Sequence, residues 1–184
     1  QDLWENNVGD TLMYYYTAAY PILPQPEPIF DVRHFTPASL KKEPMLKELR
    51  NYLLLADLSD EASPATRLIT EDIGPEKVRR ALEDPTYNTA VGRNKWARGQ
   101  LLIYQFAKKK KKLIENLKKN FPAIRKRIYE ADQEKIDATV YLAGESHKLM
   151  DEVKTRTGAQ IRIPSDYKLA ISDGDVIWMR KETH

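Results

Sequence analysis

The sequence predicts an α+β domain: a mixed or antiparallel sheet with helices packed mainly on one face. Three observations predict it. Short apolar runs of strand length lie at Asn51 to Asp57 and Gly99 to Phe106. Helix-period patterns surround them, but the alternation of helix and strand is too irregular for a doubly wound parallel sheet. Asp173-Gly174 sits between two short strand patterns near the end, which is hairpin chemistry. With 184 residues, the chain suits one domain spanning 1–184 and is long enough to bury a core.

Val8, Leu12, Tyr15, Tyr16 and Ala19 fall at helical spacing, predicting a helix from Val8 to Tyr20 that Pro21 ends. Tyr14 to Tyr16 are read as core and rim of that helix and not as a ligand patch. Next come Pro21, Pro24, Pro26 and Pro28, four prolines in eight positions. They forbid helix and central strand, so the segment is a fixed extended bridge inside the domain. Ile29 to Phe35 alternates and predicts a strand with one wetter face. Thr36-Pro37 ends it and caps a short helical turn.

The Leu-rich run Asn51 to Asp57 reads as a fully buried central strand. Ser59, Asp60, Ser63 and Pro64 form a loop. Pro75 to Leu82 is a helix punctuated by Gly74, Pro75 and Pro85. Tyr87 to Arg98 reads as irregular. After the strand Gly99 to Phe106, Leu113, Leu117, Phe121, Ile124 and Ile128 share one helix face, with Pro122 bending or breaking it. Ile136, Val140, Ala143, His147 and Met150 continue a second apolar face, stopped by Thr157-Gly158. Gln160 to Ile163, Tyr167 to Ile171 and Val176 to Arg180 predict three short strands.

Composition is that of an ordinary globular protein, 41% hydrophobic and 31% charged. The net charge of +3 is a mild basic lean, far from the field of a dedicated nucleic-acid binder. There is no cysteine, which excludes disulfides, thiolate zinc sites and thiol nucleophiles. No apolar run approaches the ~20 residues that span a bilayer. The chain opens on Gln1 without an initiator Met, so the lack of a targeting signal carries no information.

Four blocks together resemble a known family. They are Leu3-Trp4 with Val8-Gly9-Asp10-Thr11-Leu12; Leu23-Pro24-Gln25-Pro26-Glu27-Pro28-Ile29-Phe30-Asp31-Val32; Arg93-Asn94-Lys95-Trp96-Ala97-Arg98-Gly99-Gln100-Leu101; and Ile163-Pro164 through Tyr167-Lys168-Leu169-Ala170 to Trp178-Met179-Arg180. The chain resembles the Bacteroidota lipoprotein family catalogued as domain of unknown function 4837. The resemblance implies the N-terminal part of a longer, exported lipoprotein in the cell envelope. Its membrane link would be a lipid anchor outside this chain, and its partner an envelope protein or polymer. It supplies no activity and no catalytic residues.

The residues themselves argue against an enzyme. No residue is assigned as catalytic, cofactor-binding or metal-ligating, and no cofactor is called for. His34, His147 and His184 are far apart and lack paired ligands at metal spacing. His147 is read as a core or boundary histidine and His184 as a terminal one. Ser146 beside His147 fails as half a triad, because adjacent helix residues point apart. No Gly-x-Ser-x-Gly turn or phosphate loop is present. Asp10, Glu27 and Asp31 are candidate paired carboxylates for a hydrolase of envelope polymers, the weakest reading, since acids are abundant and such work needs two of them across a cleft.

Lys108 to Lys112, followed by Lys118, Lys119, Arg125, Lys126 and Arg127, is the alternative reading: a basic nucleic-acid-binding module. Val153 to Pro164 echoes the helix-to-strand part of a KH domain, but Gly144-Glu145-Ser146-His147 lacks the second Gly of its gripping loop. Charge runs are more often solvated faces, and five lysines oppose the helix dipole and fray that end. Nucleic acid is therefore disfavoured, with an anionic membrane surface a milder partner for the run. The candidate interaction surface is Arg93, Lys95, Trp96 and Arg98. An exposed Trp beside Arg is a recognition handle, but a plug sealing the sheet is the preferred role for Trp96.

Overall fold

The computed structural model describes residues 3–5, 7–21, 23–174 and 176–181. The fold is α+β. It forms two compact units, 1–128 and 129–184.

The first unit opens with α1 (Asn7–Tyr16), whose Val8, Leu12 and Tyr16 are buried at four-residue spacing. The helix stops four residues before Tyr20. The proline block then folds back on it. Tyr20 N–H donates to the Glu27 carbonyl at 2.8 Å, Ile29 N–H to Ala18 at 3.0 Å and Phe30 N–H to Tyr16 at 3.0 Å, around an Ala19–Pro28 bridge. The predicted strand at Ile29 to Phe35 does not form. Ile29, Phe30, Val32 and Phe35 are half-buried without a ladder, so burial alone produced the alternating pattern. Thr36 caps α2 (Pro37–Lys42), its hydroxyl accepting from Ser39 N–H at 3.1 Å. A 3₁₀ turn (Pro44–Glu48) leads into the sheet.

β1 (Asn51–Asp57) pairs in parallel with β3 (Leu101–Ala107), and β2 (Thr89–Arg93) pairs antiparallel with β3 on its other side. The order β1-β3-β2 makes β3 the central strand and β1 an edge, correcting the central placement expected for Asn51 to Asp57. All seven β3 residues are buried, whereas only two of β1 are. A parallel pair needs a crossover. Here α3 (Pro64–Ile73), α4 (Pro75–Glu83) and β2 supply it. β2 falls where the sequence reads as irregular chain, and α3 follows the Ser59–Pro64 loop over residues for which the sequence predicts no element. Half of α3 is polar, and β2 is five residues long and defined by its pairing.

Leu54, Ala56, Leu102, Tyr104 and Phe106 on one sheet face form a core with Ile69 and Ile73 of α3 and Ala81 of α4. Each fully buried Leu, Ile or Phe contributes about 1.5–3 kcal/mol. Gly74 joins the two helices at φ 81°, ψ 161°. α5 (Lys110–Val140) is 31 residues long, continues past the end of this unit at residue 128, and is not broken by Pro122. Its Leu113, Leu117 and Ile124 are buried.

The second unit holds α6 (His147–Thr157), β4 (Tyr167–Asp173) and β5 (Val176–Lys181). Gly158 ends α6 in the left-handed conformation expected there. Asp173 pairs with Val176 at the hairpin turn, where Gly174 has φ 53°. Leu149, Val153 and Ile163 form a small core with Tyr167, Ile177 and Met179. Gln160 to Ile163 is not a strand. Its neighbourhood makes an isolated Glu145–Pro164 bridge and a Ser146 N–H bond to the Ile163 carbonyl at 2.8 Å in place of a ladder.

Candidate interaction surface

The loop after β2 is fixed from within. Asn94, at φ 55°, turns the chain, and Asn tolerates that region better than most residues. Its side-chain oxygen accepts Gly99 N–H at 2.7 Å, and its own N–H donates to the Gln100 carbonyl at 3.2 Å. The Gln100 side chain is the centrepiece and is 2% exposed. Its Oε1 accepts the N–H groups of Trp96 and Ala97, both at 3.0 Å. Its Nε2 donates to the carbonyls of Leu49, at 2.7 Å, and of Lys47. One amide thus ties the loop to the segment leading into β1.

Trp96 is half-buried against the α3–α4 core and meets Tyr52 edge to face at 4.9 Å. Lys95 lies over the Trp96 ring at 5.1 Å and ion-pairs with Asp72 of α3, with side chains 21% and 15% exposed. The other Asp72 oxygen accepts the Tyr104 hydroxyl at 3.1 Å. Burial and the Asp72 carboxylate both push the Tyr104 phenol well above the ordinary tyrosine value. Gly92 makes room for that ring: a Cβ there would lie 3.1 Å from Tyr104 Cε2. Of the four predicted surface residues, Lys95 and Trp96 are therefore anchors, while Arg93 and Arg98 face solvent.

The other candidates are dispersed. Asp10, Glu27 and Asp31 are all exposed, and Asp31 pairs with Arg33 at 3.1 Å. His34 stacks on Trp4 at 4.5 Å. His147 is exposed at the first turn of α6, correcting its placement in a core or boundary. His184 lies outside the described residues. No cluster of three metal-capable side chains occurs among the described residues. No described helix is long and apolar enough to cross a membrane. An open groove of about 450 Å³ where α3 meets α4 is lined by Thr70, Glu71, Pro75, Val78, Arg79 and Leu82. Its wall is mostly apolar and offers no convergent polar chemistry. The KH echo ends without its strand, because the chain after Gly158 is irregular to Ile163.

The lysine run straddles the start of α5. Lys110 donates to the Glu5 carbonyl at 3.3 Å, and Lys112 pairs with Glu115 at 2.9 Å. Because α5 is continuous, Lys111 and Lys118 lie seven residues apart on one exposed face, as do Lys112, Lys119 and Lys126. Fifteen residues of helix place Lys111 and Lys126 about 22 Å apart. Residues 108–127 hold ten cationic side chains and one carboxylate, a net +9. Against 30 Lys and Arg and 27 Asp and Glu in the whole chain, every other residue together sums to −6. The overall +3 conceals this segregation; a windowed charge count along the sequence reveals it.

A family profile for a domain of unknown function, DUF8532, matches residues 1–141. The chain belongs to that family. This overturns the resemblance to domain of unknown function 4837. The blocks that carried it are short, and the structure gives two of them local work: the proline block closes a loop on α1, and the Lys-Trp-Ala-x-Gly-Gln block bolts a turn to the sheet. The match ends at residue 141, one residue after α5 ends at Val140. No curated protein and no solved structure matches the chain.

Proposed function

We propose that the protein is a non-enzymatic interaction module that docks an anionic polymer on the exposed face of α5. The observation that carries this reading is the charge segregation, +9 within residues 108–127 against −6 elsewhere, aligned by an unbroken helix. Clustered cations neutralise a polyanion and release its counterions, and the acidic remainder orients the encounter. Within residues 108–127 the apolar Leu113, Leu117 and Ile124 are buried, so this part of the helix meets the polymer through charge. Arg93 and Arg98 are a separate exposed pair on a rigid loop and are not needed for this docking. The envelope location, the lipid anchor and an envelope partner followed only from the overturned resemblance, and this reading does not include them.

The test is titration of the protein with a labelled DNA duplex and with polyglutamate across 20–300 mM salt, conditions chosen to span weak to strong screening. Expected is binding to at least one of them at low salt, weakened tenfold or more by combined Lys→Gln changes at Lys111, Lys112, Lys118 and Lys119. For the duplex, the salt slope should fall by about 3–4, as four lost phosphate contacts dictate. An absence of binding at low salt, or equal binding by the variant, removes the reading.

A further inference from the structure

Gln105 sits in mid-β3 at 0% exposed, yet neither its Oε1 nor its Nε2 has a hydrogen-bond partner in the protein. Asn116 of α5 is 3% exposed, and its Nδ2 is likewise unpartnered. Backbone register and helix spacing place these two amides on the same side of the sheet. Gln105 is paired with Thr89 across the antiparallel β2–β3 ladder, so their side chains share a face with Cβ atoms about 5 Å apart. Thr89 Oγ1 accepts from Asn120 Nδ2 at 3.1 Å, and Asn120 also reaches Asn88 Oδ1 at 2.9 Å. α5 therefore meets this face of the sheet at Asn120, beside the start of β2. Asn116 is one helical turn earlier on the same side, with its Cβ about 6 Å from that of Asn120.

A Leu at position 105 would continue the apolar run of β3, but it would leave Asn116 Nδ2 buried without a partner. The chain instead spends a Gln and an Asn in its most buried layer. Amides buried without partners cost about 1–3 kcal/mol each, and native proteins satisfy nearly all of them with protein or ordered water. We propose that Gln105 and Asn116 form an internal hydration site, in which at least one ordered water bridges the Gln105 amide to Asn116 Nδ2 beside the Asn88–Thr89–Asn120 network. The site has the two to four polar partners a buried water needs. Both side chains are out of contact with bulk solvent. The site also serves register: a water held between β3 and α5 favours the one placement of α5 that puts Asn116 and Asn120 over Thr89 and Gln105. The inference is independent of polyanion docking, since none of its residues is on the charged face.

The test is a water-selective NOE experiment on the ¹⁵N-labelled, unaltered chain. The side-chain NH₂ protons of Gln105 and Asn116 should show cross-peaks of the sign given by a long-resident water. Gln105→Leu should abolish the Asn116 cross-peak and lower Tm by about 2–4 °C. Amide protons with no water cross-peak, an NOE only between the two amides, or a rise in Tm on Gln105→Leu would each overturn the site.

Discussion

The side-chain oxygen of Gln100 accepts the backbone N–H of Trp96 at 3.0 Å, and the same amide's nitrogen donates to the Leu49 carbonyl at 2.7 Å. Acceptor and donor are both needed. Gln100→Leu strands two N–H groups and two carbonyls and should cost about 2–4 kcal/mol in urea denaturation. Gln100→Glu keeps the acceptor but turns a carboxylate oxygen toward two carbonyls, so it should be at least as harmful. If Glu restores wild-type stability, the donor half of the network contributes nothing.

Tyr104 and Tyr16 are 5% and 3% exposed, and burial holds both phenols above the ordinary value of 10.0. In the unfolded chain they ionise near pH 10, while in the folded chain they stay protonated. The unfolded state then binds fewer protons, so stability is fully present below pH 10 and falls as pH rises above it, by up to ~1.4 kcal/mol per pH unit for each group. Urea midpoints from about pH 9 to 11 should drop less steeply in Tyr104→Phe than in the unaltered protein. Deprotonation of lysines is common to both chains, and the difference isolates the phenol. Parallel slopes would show that Tyr104 titrates normally.

Legibility in the sequence tracked how local the cause was. Asn51 to Asp57 and the Asp173-Gly174 hairpin were readable because an apolar run and a turn dipeptide act on their own neighbourhood. Gly74-Pro75 likewise marked the start of α4. β2 was not readable, because Thr89 to Arg93 becomes a strand only through its pairing with β3. Ile29 to Phe35 misled in the opposite direction: its pattern records burial, and no strand comes to pair with it. Trp96 and Arg98 are two residues apart and were grouped as one surface, yet Gln100 turns the loop so that one is held in and the other out. The Gln100 bonds to the Lys47 and Leu49 carbonyls tie that loop to the segment before β1, a link no window of sequence contains. α5 crossed Pro122 because its buried Leu113, Leu117 and Ile124 hold both sides of the proline to the same unit.

Pro122 is exposed inside α5 and removes the N–H that would reach the Lys118 carbonyl. Pro122→Ala should therefore stabilise the protein, by about 1–3 kcal/mol, with no change in the charged face. Polyanion affinity should stay within twofold, because Lys111 and Lys118 keep their spacing. A loss of stability would show that the helix uses the proline, for instance to set a bend that its buried face requires.

Gly74 ends α3 and precedes α4 at φ 81°, ψ 161°, a region that only glycine enters readily. A Cβ there would meet nothing within 4 Å, so any cost of substitution is backbone strain and not collision. Gly74→Ala should lose about 1–3 kcal/mol. Asn tolerates the left-handed helical region but not this one, so Gly74→Asn should lose as much. Chemical denaturation of the two variants decides it. Equal losses support the geometry, whereas recovery by Asn would place Gly74 in the left-handed helical region and change the angle at which α4 leaves α3.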